Sequence, residues 1–321
     1  MNCVAMAPEL SIIIVTYNSR REIGDCLTSL ERFCKGVTLE TIVFDNASKE
    51  GTADWVAANY PNVRLIRSAE NVGFARGNNL AAQFAQGRFV LLLNPDTWVE
   101  DDLALALVRF MENHPDAGAC TPLILRPDGS RQRGAMRTLP TLTTLFYDQA
   151  GLSRLFPRSR RFGRYWMTWW DHNDVREVEQ AAGACLLVRR EVYEKIGGFD
   201  EGYFMYYDDV ELCRAIREAG WKIYFTPEVH VYHSGGQSAS QEVQQNYAAL
   251  HRSMYLYFRR HHGRVATWLA KLIVTFGEAG KLVVLAFLML TARFQPRPEF
   301  WGSRREQFLG HGRLLLQHWW Y

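Results

Sequence analysis

The chain has 321 residues, 48% hydrophobic and 22% charged. That balance is globular and leaves room for one large domain, or for a domain with an appendage. A formal charge of +3 gives no footing for nucleic-acid binding. The six cysteines show no CxxC or metal-type spacing, which points to buried free thiols in a reducing compartment. No basic region followed by an apolar run precedes Ser11, so the expected location is the cytosol or the cytosolic face of a membrane.

Leu10 to Val15 is a β-branched run and reads as a first strand, ending at Thr16-Tyr17-Asn18-Ser19. Helical spacing follows over Arg20 to Phe33, with Ser19 as the expected N-cap. A second strand, Thr41 to Phe44, ends in Asp45-Asn46-Ala47-Ser48. A short helix from Gly51 to Asn59 and a third strand from Val63 to Ile66 come next. Asn71 to Asn79 reads as a polar, glycine-containing loop before a helix from Leu80 to Gln86.

Phe89 to Leu93 is five apolar residues running into Asn94-Pro95-Asp96, a strand buried on both faces that stops abruptly. Pro95 cannot donate to a ladder, so Asp96 emerges at the carboxyl end of the strand. There it either caps the helix expected from Asp101 to Glu112 or holds a divalent cation against a diphosphate. Strands alternating with helices imply a parallel sheet with right-handed crossovers. Thr16, Asp45, Asn71 and Asp96 then share the edge at which open α/β sheets bind ligands. No GxGxxG lies at the first strand-helix turn and no GxxxxGK[ST] occurs, which argues against a dinucleotide-binding domain and a P-loop.

From Thr121 to Glu179 the pattern loosens into Arg, Pro and aromatic residues, the mark of a mobile excursion. Order returns with a strand from Gly183 to Val188 and a helix whose spacing runs through Leu212, Ile216 and Ala219 to Gly220. Asp208 and Asp209 fall at its N-terminus, where the dipole favours negative charge. Capping needs only one such residue, so the second has another task. Lys222 to Phe225 is a strand, and Val229 to Gly236 brings His230 and His233 near it. Gln241 to His262 reads as a helix, and Val265 to Phe294 is apolar but interrupted by Lys271, Glu278 and Lys281. Its uninterrupted part, Leu282 to Ala292, is short of the ~20 residues of a bilayer span. Interfacial or re-entrant helices at a membrane surface are the expectation, with a helical hairpin packed on the domain or on a second subunit of a homodimer as the alternative.

Taken in order, Ile14-Val15-Thr16-Tyr17-Asn18, Phe44-Asp45-Asn46-Ala47-Ser48, Asn71 to Asn79, Leu92 to Thr97, Gly197-Gly198-Phe199-Asp200-Glu201, Phe204 to Cys213 and His233-Ser234-Gly235-Gly236 resemble the family 2 glycosyltransferases. Within them the chain is similar to the rhamnosyltransferase-like branch that builds bacterial surface polysaccharides. The resemblance covers roughly Leu10 to Arg260. It implies an α/β GT-A fold with a mostly parallel, Rossmann-like central sheet flanked by helices, and a C-terminal helical extension that associates with membranes. Residues 1–240 would form the transferase domain, divided into a nucleotide-sugar half (1–120) and an acceptor half (121–240), with 241–321 as the extension.

The implied reaction is inverting transfer from a nucleotide-sugar, dTDP-rhamnose first and a UDP- or GDP-sugar as the rival. The implied acceptor is a saccharide on a polyprenyl diphosphate. A non-catalytic glycan- or lipid-binding scaffold is the competing class. By the same resemblance, Thr16, Asn18, Asp45 and Asn46 would hold base and ribose, and Asn71, Gly73, Phe74 and Asn78 would close on the donor. Asp96, with His233, would hold Mg²⁺ or Mn²⁺, and Asp209 of the Asp208-Asp209 pair would be the catalytic base. Two departures stand out. Asn94 occupies the first carboxylate position of the metal motif, and the acidic pair is Asp-Asp where Glu-Asp is common.

Overall fold

The computed structural model describes residues 7–235, 243–291, 308–313 and 315–320. These separate into two compact units, one of residues 1–139 and 171–241 and one of 140–170 and 242–321.

The first unit carries the strands β1 (Leu10–Thr16), β2 (Leu39–Asp45), β3 (Arg64–Arg67), β4 (Phe89–Leu93), β5 (Thr97–Trp98), β6 (Ala117–Leu125), β7 (Met136–Arg137), β8 (Arg176–Glu177), β9 (Gln180–Ala181), β10 (Cys185–Arg189) and β11 (Lys222–His233). Its helices are α1 (Arg20–Phe33), α2 (Thr52–Asn59), α3 (Phe74–Ala82), α4 (Leu103–Asn113), α7 (Arg190–Lys195) and α8 (Asp208–Glu218). The second unit holds α5 (Leu142–Gln149), α6 (Leu152–Leu155), α9 (Val243–His261) and α10 (Gly263–Thr291).

Nine strands make one mixed sheet in the order β3-β2-β1-β4-β10-β6-β11-β5, with β8 on β11, while β7 and β9 form a separate pair. The N-terminal strands β3, β2, β1 and β4 are mutually parallel. β10 then enters antiparallel between β4 and β6. Every residue of β1 and β4 is buried, as expected of strands covered on both faces. β11 runs beside β6 to Thr226, shifts register before His230, and continues to pair His233 with Thr97. Pro227 sits in that irregularity, where a missing N–H does least harm to a ladder.

Several local expectations are corrected. Ser19 does not cap α1 through its side chain; its hydroxyl donates to Tyr17 O instead. The loop expected to run to Asn79 is already helical from Phe74, because Gly73 at φ +86° makes the break that lets α3 start early. Asp102, not Asp96, caps α4, accepting the Leu105 N–H at 3.0 Å. The described cysteines, five in number, are free and buried; Cys3 lies outside the described residues.

Of the stretch from Thr121 to Glu179 expected to be a mobile excursion, residues 140–170 lie in the second unit, where α5 packs against α10. Gly277 permits that approach, since a Cβ there would meet the Gln149 side chain at 2.4–2.7 Å. α10 is one continuous helix. At 29 residues and ~1.5 Å each, its ~44 Å exceeds the ~30 Å of a hydrocarbon core, and residues Gly263–Met289 are long and apolar enough to cross a membrane. The three charges that interrupt it are tied inside the unit. Lys271 Nζ donates to Trp319 O at 2.9 Å, Lys281 Nζ reaches Gln149 at 3.0 Å and Glu278 at 2.6 Å, and Glu278 also pairs with His311.

Candidate active site

Three groups of polar side chains gather at the carboxyl ends of the N-terminal strands. The first lies at the ends of β1 and β2, where Thr16 and Asp45 are register partners. Asp45 Oδ2 accepts the Ser48 N–H at 3.1 Å, but Asp45 Oδ1 and Thr16 Oγ1 are buried with no partner. A carboxylate oxygen and a hydroxyl withdrawn from water and left unpaired are costly in a free-standing fold, so a polar ligand with a donor for the carboxylate is the natural complement. Asn18, at φ +48°, accepts the Lys49 N–H at 2.8 Å and so ties β1's exit to β2's.

Asn46 spends both ends of its amide on the neighbouring loop, accepting Val72 N–H at 2.8 Å and donating to Gly73 O at 3.1 Å. Asn71 Oδ1 accepts the Gly73 N–H at 3.0 Å, and Phe74 N–H donates to Phe204 O at 3.2 Å. Asn78 is buried inside α3, its Nδ2 donating to Phe74 O at 2.9 Å. Together Asn46, Asn71 and Asn78 brace the Gly73–Phe74 corner.

The second group lies past β4. His233 Nε2 is 3.1 Å from Asp96 Oδ1 and 3.3 Å from Asn94 Nδ2, and its Nδ1 is 2.8 Å from Gln132 Oε1. The segment after β11 wraps the aspartate, with Ser234 N–H on Asp96 O at 3.0 Å and Gly235 N–H on Asp96 Oδ2 at 3.1 Å. Gln132 fixes the ring through Nδ1 and leaves Nε2 facing the carboxylate. Nε2 and Asp96 Oδ1, 3.1 Å apart, are atoms that a proton or a cation can bridge, and an imidazole nitrogen beside a carboxylate fits a divalent metal. No group of three or more His, Cys, Asp or Glu suited to a metal occurs among the described residues; other ligands would have to come from a substrate or water, the usual arrangement for Mg²⁺. His230 is turned away against Tyr232.

The third group is the acidic pair. The N-cap of α8 is Tyr207 in the left-handed region, and no side chain caps the helix; neither aspartate is there to cap. Tyr206 and Tyr207 are consecutive non-glycine residues at φ +63° and +61°, conformations of the kind that concentrate at functional sites. Asp208 is buried, and that burial, with the charge of Asp209, pushes its carboxyl up to about 7, against the pull of Arg137. Asp209 Oδ2 faces Gln180 Nε2 at 3.1 Å, Gly183 N–H at 3.4 Å and Arg137 at 3.5 Å.

Gly183 joins the groups. A Cβ on it would lie 3.5 Å from Asp209 Cβ and 3.7 Å from the Phe74 ring, and the next residue's Ala184 O accepts Asn94 N–H at 3.0 Å. Gln132, Arg137 and Gln180 were not legible as site residues, because two-residue strands and turns leave no periodicity to read.

A sheet of this order is that of the GT-A fold. The mannosyltransferase PcManGT from Pyrobaculum calidifontis, solved in complex with GDP-Man and Mn²⁺, shares that fold at 17% identity with a TM-score of 0.56, over 98% of this chain and 88% of that one. The glycosyl transferase family 2 model matches residues 11–197, and the chain belongs to that family. An N-acetylglucosaminyl-diphospho-decaprenol L-rhamnosyltransferase from Mycobacterium tuberculosis is 32% identical over 302 residues, 89% of this chain and 94% of that protein. The low-salt glycan biosynthesis hexosyltransferase Agl10 of Haloferax volcanii is 30% identical over 220 residues, 66% of this chain and 63% of that protein.

Proposed function

We propose that this glycosyltransferase moves L-rhamnose, with inversion, from a dTDP-sugar to a saccharide carried on a polyprenyl diphosphate, at the cytoplasmic face of the membrane, in the synthesis of a cell-surface polysaccharide. The observation that carries the donor reading is the unpartnered pair Thr16 Oγ1 and Asp45 Oδ1. A pyrimidine ring N–H and a deoxyribose hydroxyl are donors of the kind those two oxygens lack. The choice of rhamnose and of a lipid-linked acceptor rests on the similarity to the mycobacterial enzyme. In this reading residues 1–139 and 171–241 are the catalytic unit, and the second unit is its membrane-associating extension.

Asp96 and His233 would hold Mg²⁺ or Mn²⁺, with Asn94 beside them. When bound, the cation would supply positive charge to the diphosphate as it leaves. Gly73 and Phe74 close over the sugar, braced by Asn46, Asn71 and Asn78. Asp209 takes the proton from the acceptor hydroxyl as that oxygen bonds to the anomeric carbon. The bond from that carbon to the diphosphate breaks, and the electron pair leaves with the nucleoside diphosphate.

Calorimetric titration with dTDP, UDP and GDP, each with and without Mn²⁺, tests the reading. dTDP is expected to bind most tightly and more tightly with Mn²⁺, and Asp96→Asn is expected to abolish the Mn²⁺ enhancement while leaving metal-free binding in place. Preference for UDP or GDP would reassign the donor. No binding of any nucleotide would leave a glycan- or lipid-binding scaffold.

A further inference from the structure

β7 and β9 are two residues each, too short to add much to a core, yet they bring two donors to one carboxylate oxygen. Arg137 and Gln180 are register partners across them. Gln180 is 1% exposed, and its Nε2 donates to Ala181 O at 3.0 Å as well as to Asp209 Oδ2 at 3.1 Å. Flipping the amide would set its oxygen against both acceptors, so its orientation is fixed by chemistry. Its Oε1 is buried without a partner, a cost that a residue present only for packing would not carry. Asp209 Oδ1, by contrast, takes the adjacent Val210 N–H, at 2.8 Å.

We propose that Arg137 and Gln180 are positioning residues for proton transfer, Gln180 fixing the plane of the Asp209 carboxylate and Arg137 favouring negative charge on Asp209 while the acceptor hydroxyl gives up its proton. This rests on Asp209 being the base. The groups facing the pair are Tyr206 ahead of the helix, Cys213 along it, and Arg137 from the opposing strand. Of these, Arg137 is the cation in reach of Asp209 Oδ2. Without it, two adjacent carboxylates in a part-buried site take up a proton at higher pH.

The experiment measures kcat and KM against pH for transfer from dTDP-L-rhamnose to a short-chain prenyl-diphosphate N-acetylglucosamine, in wild type, Arg137→Met, Arg137→Lys, Gln180→Leu and Asp209→Asn. Asp209→Asn should lose about 10²–10⁴ in turnover. Arg137→Met should move the acidic limb of the profile to higher pH by about one pH unit, and so cost about tenfold in rate below it, with donor KM little changed. Arg137→Lys should restore the limb. Gln180→Leu should lower kcat with the limb in place. A uniform loss at every pH in Arg137→Met, unrelieved by Lys, overturns the proposal and leaves the base assignment standing. Full turnover in Asp209→Asn removes the base assignment itself. A readout that needs no substrate is carbon-13 NMR of aspartate-labelled protein, in which the pair's titration midpoint rises in Arg137→Met; an unmoved midpoint also overturns the proposal.

Discussion

Asp208 shows how one buried carboxyl couples chemistry to stability. Its folded-state value of about 7 stands well above the ~3.9 of an exposed aspartate. The fold therefore prefers the protonated form, and the stability this gives is complete below pH ~4 and lost as pH rises through about 7. Asp208→Asn mimics the protonated side chain and should remove that loss. Thermal unfolding of the variant should lie close to wild type below pH ~4 and above it at pH 8, by up to ~1.4 kcal/mol for each pH unit separating the folded and unfolded midpoints. An equal gap at both pH values would show that burial does not raise the Asp208 carboxyl. Asp96, Asp45 and Asp209 were legible because each follows an apolar run or an aromatic stretch and belongs to a local motif. Arg137 was not, because only the antiparallel pairing of 136–137 with 180–181 brings it to an aspartate 72 residues away.

At the scale of elements, the same limit applies to boundaries. β1 and β4 were readable to within one residue because burial on both faces demands unbroken apolar runs, while β2 was read two residues short at its half-buried start, Leu39 and Glu40. The start of α3 was missed because Asn, Gly and Arg look like loop, while the structure uses Gly73 as the break and runs helix through Asn78 and Asn79. Asn79 Oδ1 then accepts from Phe199 N–H and Tyr193 Oη, both at 2.9 Å, which anchors α3 to the Gly198–Phe199 turn. Gly73 itself admits no side chain: a Cβ would stand 2.8 Å from both Phe204 O and its ring, at φ +86°. Gly73→Ala should push Phe204 away from this corner and separate the donor loop from the run into Asp208. We expect nucleotide affinity to fall about tenfold, with unfolding displaced by ~1–3 kcal/mol. Calorimetry and urea titration measure the two, and wild-type affinity in the variant would mean the corner does not touch the donor.

At the scale of the whole molecule, sequence spacing foretold an apolar C-terminus but not its company. Residues 140–170 belong with it through contacts that span more than a hundred positions, beyond the reach of any local pattern. Their exposed Arg154, Arg158, Arg160 and Arg161 share a unit with α10. The face of α10 that carries Lys271, Glu278 and Lys281 is occupied by polar partners. The other face presents Val265, Trp268, Leu272, Phe276, Val283 and Phe287, with Phe276 73% and Phe287 63% exposed, a helically spaced apolar stripe larger than scattered surface hydrophobes explain. Apolar stripe and guanidinium groups together suit a bilayer with anionic headgroups. Each phenylalanine taken out of water contributes about 1.5–3 kcal/mol, so Phe276→Glu with Phe287→Glu should weaken partitioning by well over tenfold. Both side chains are exposed, and the variant should therefore unfold at the wild-type temperature. Wild type is expected to float with phosphatidylglycerol vesicles and less with neutral ones, and the double variant to stay in the dense fraction with either. If wild type stays behind as well, and sediments as a dimer that these two substitutions break, the stripe covers a second copy of the chain and the membrane assignment falls.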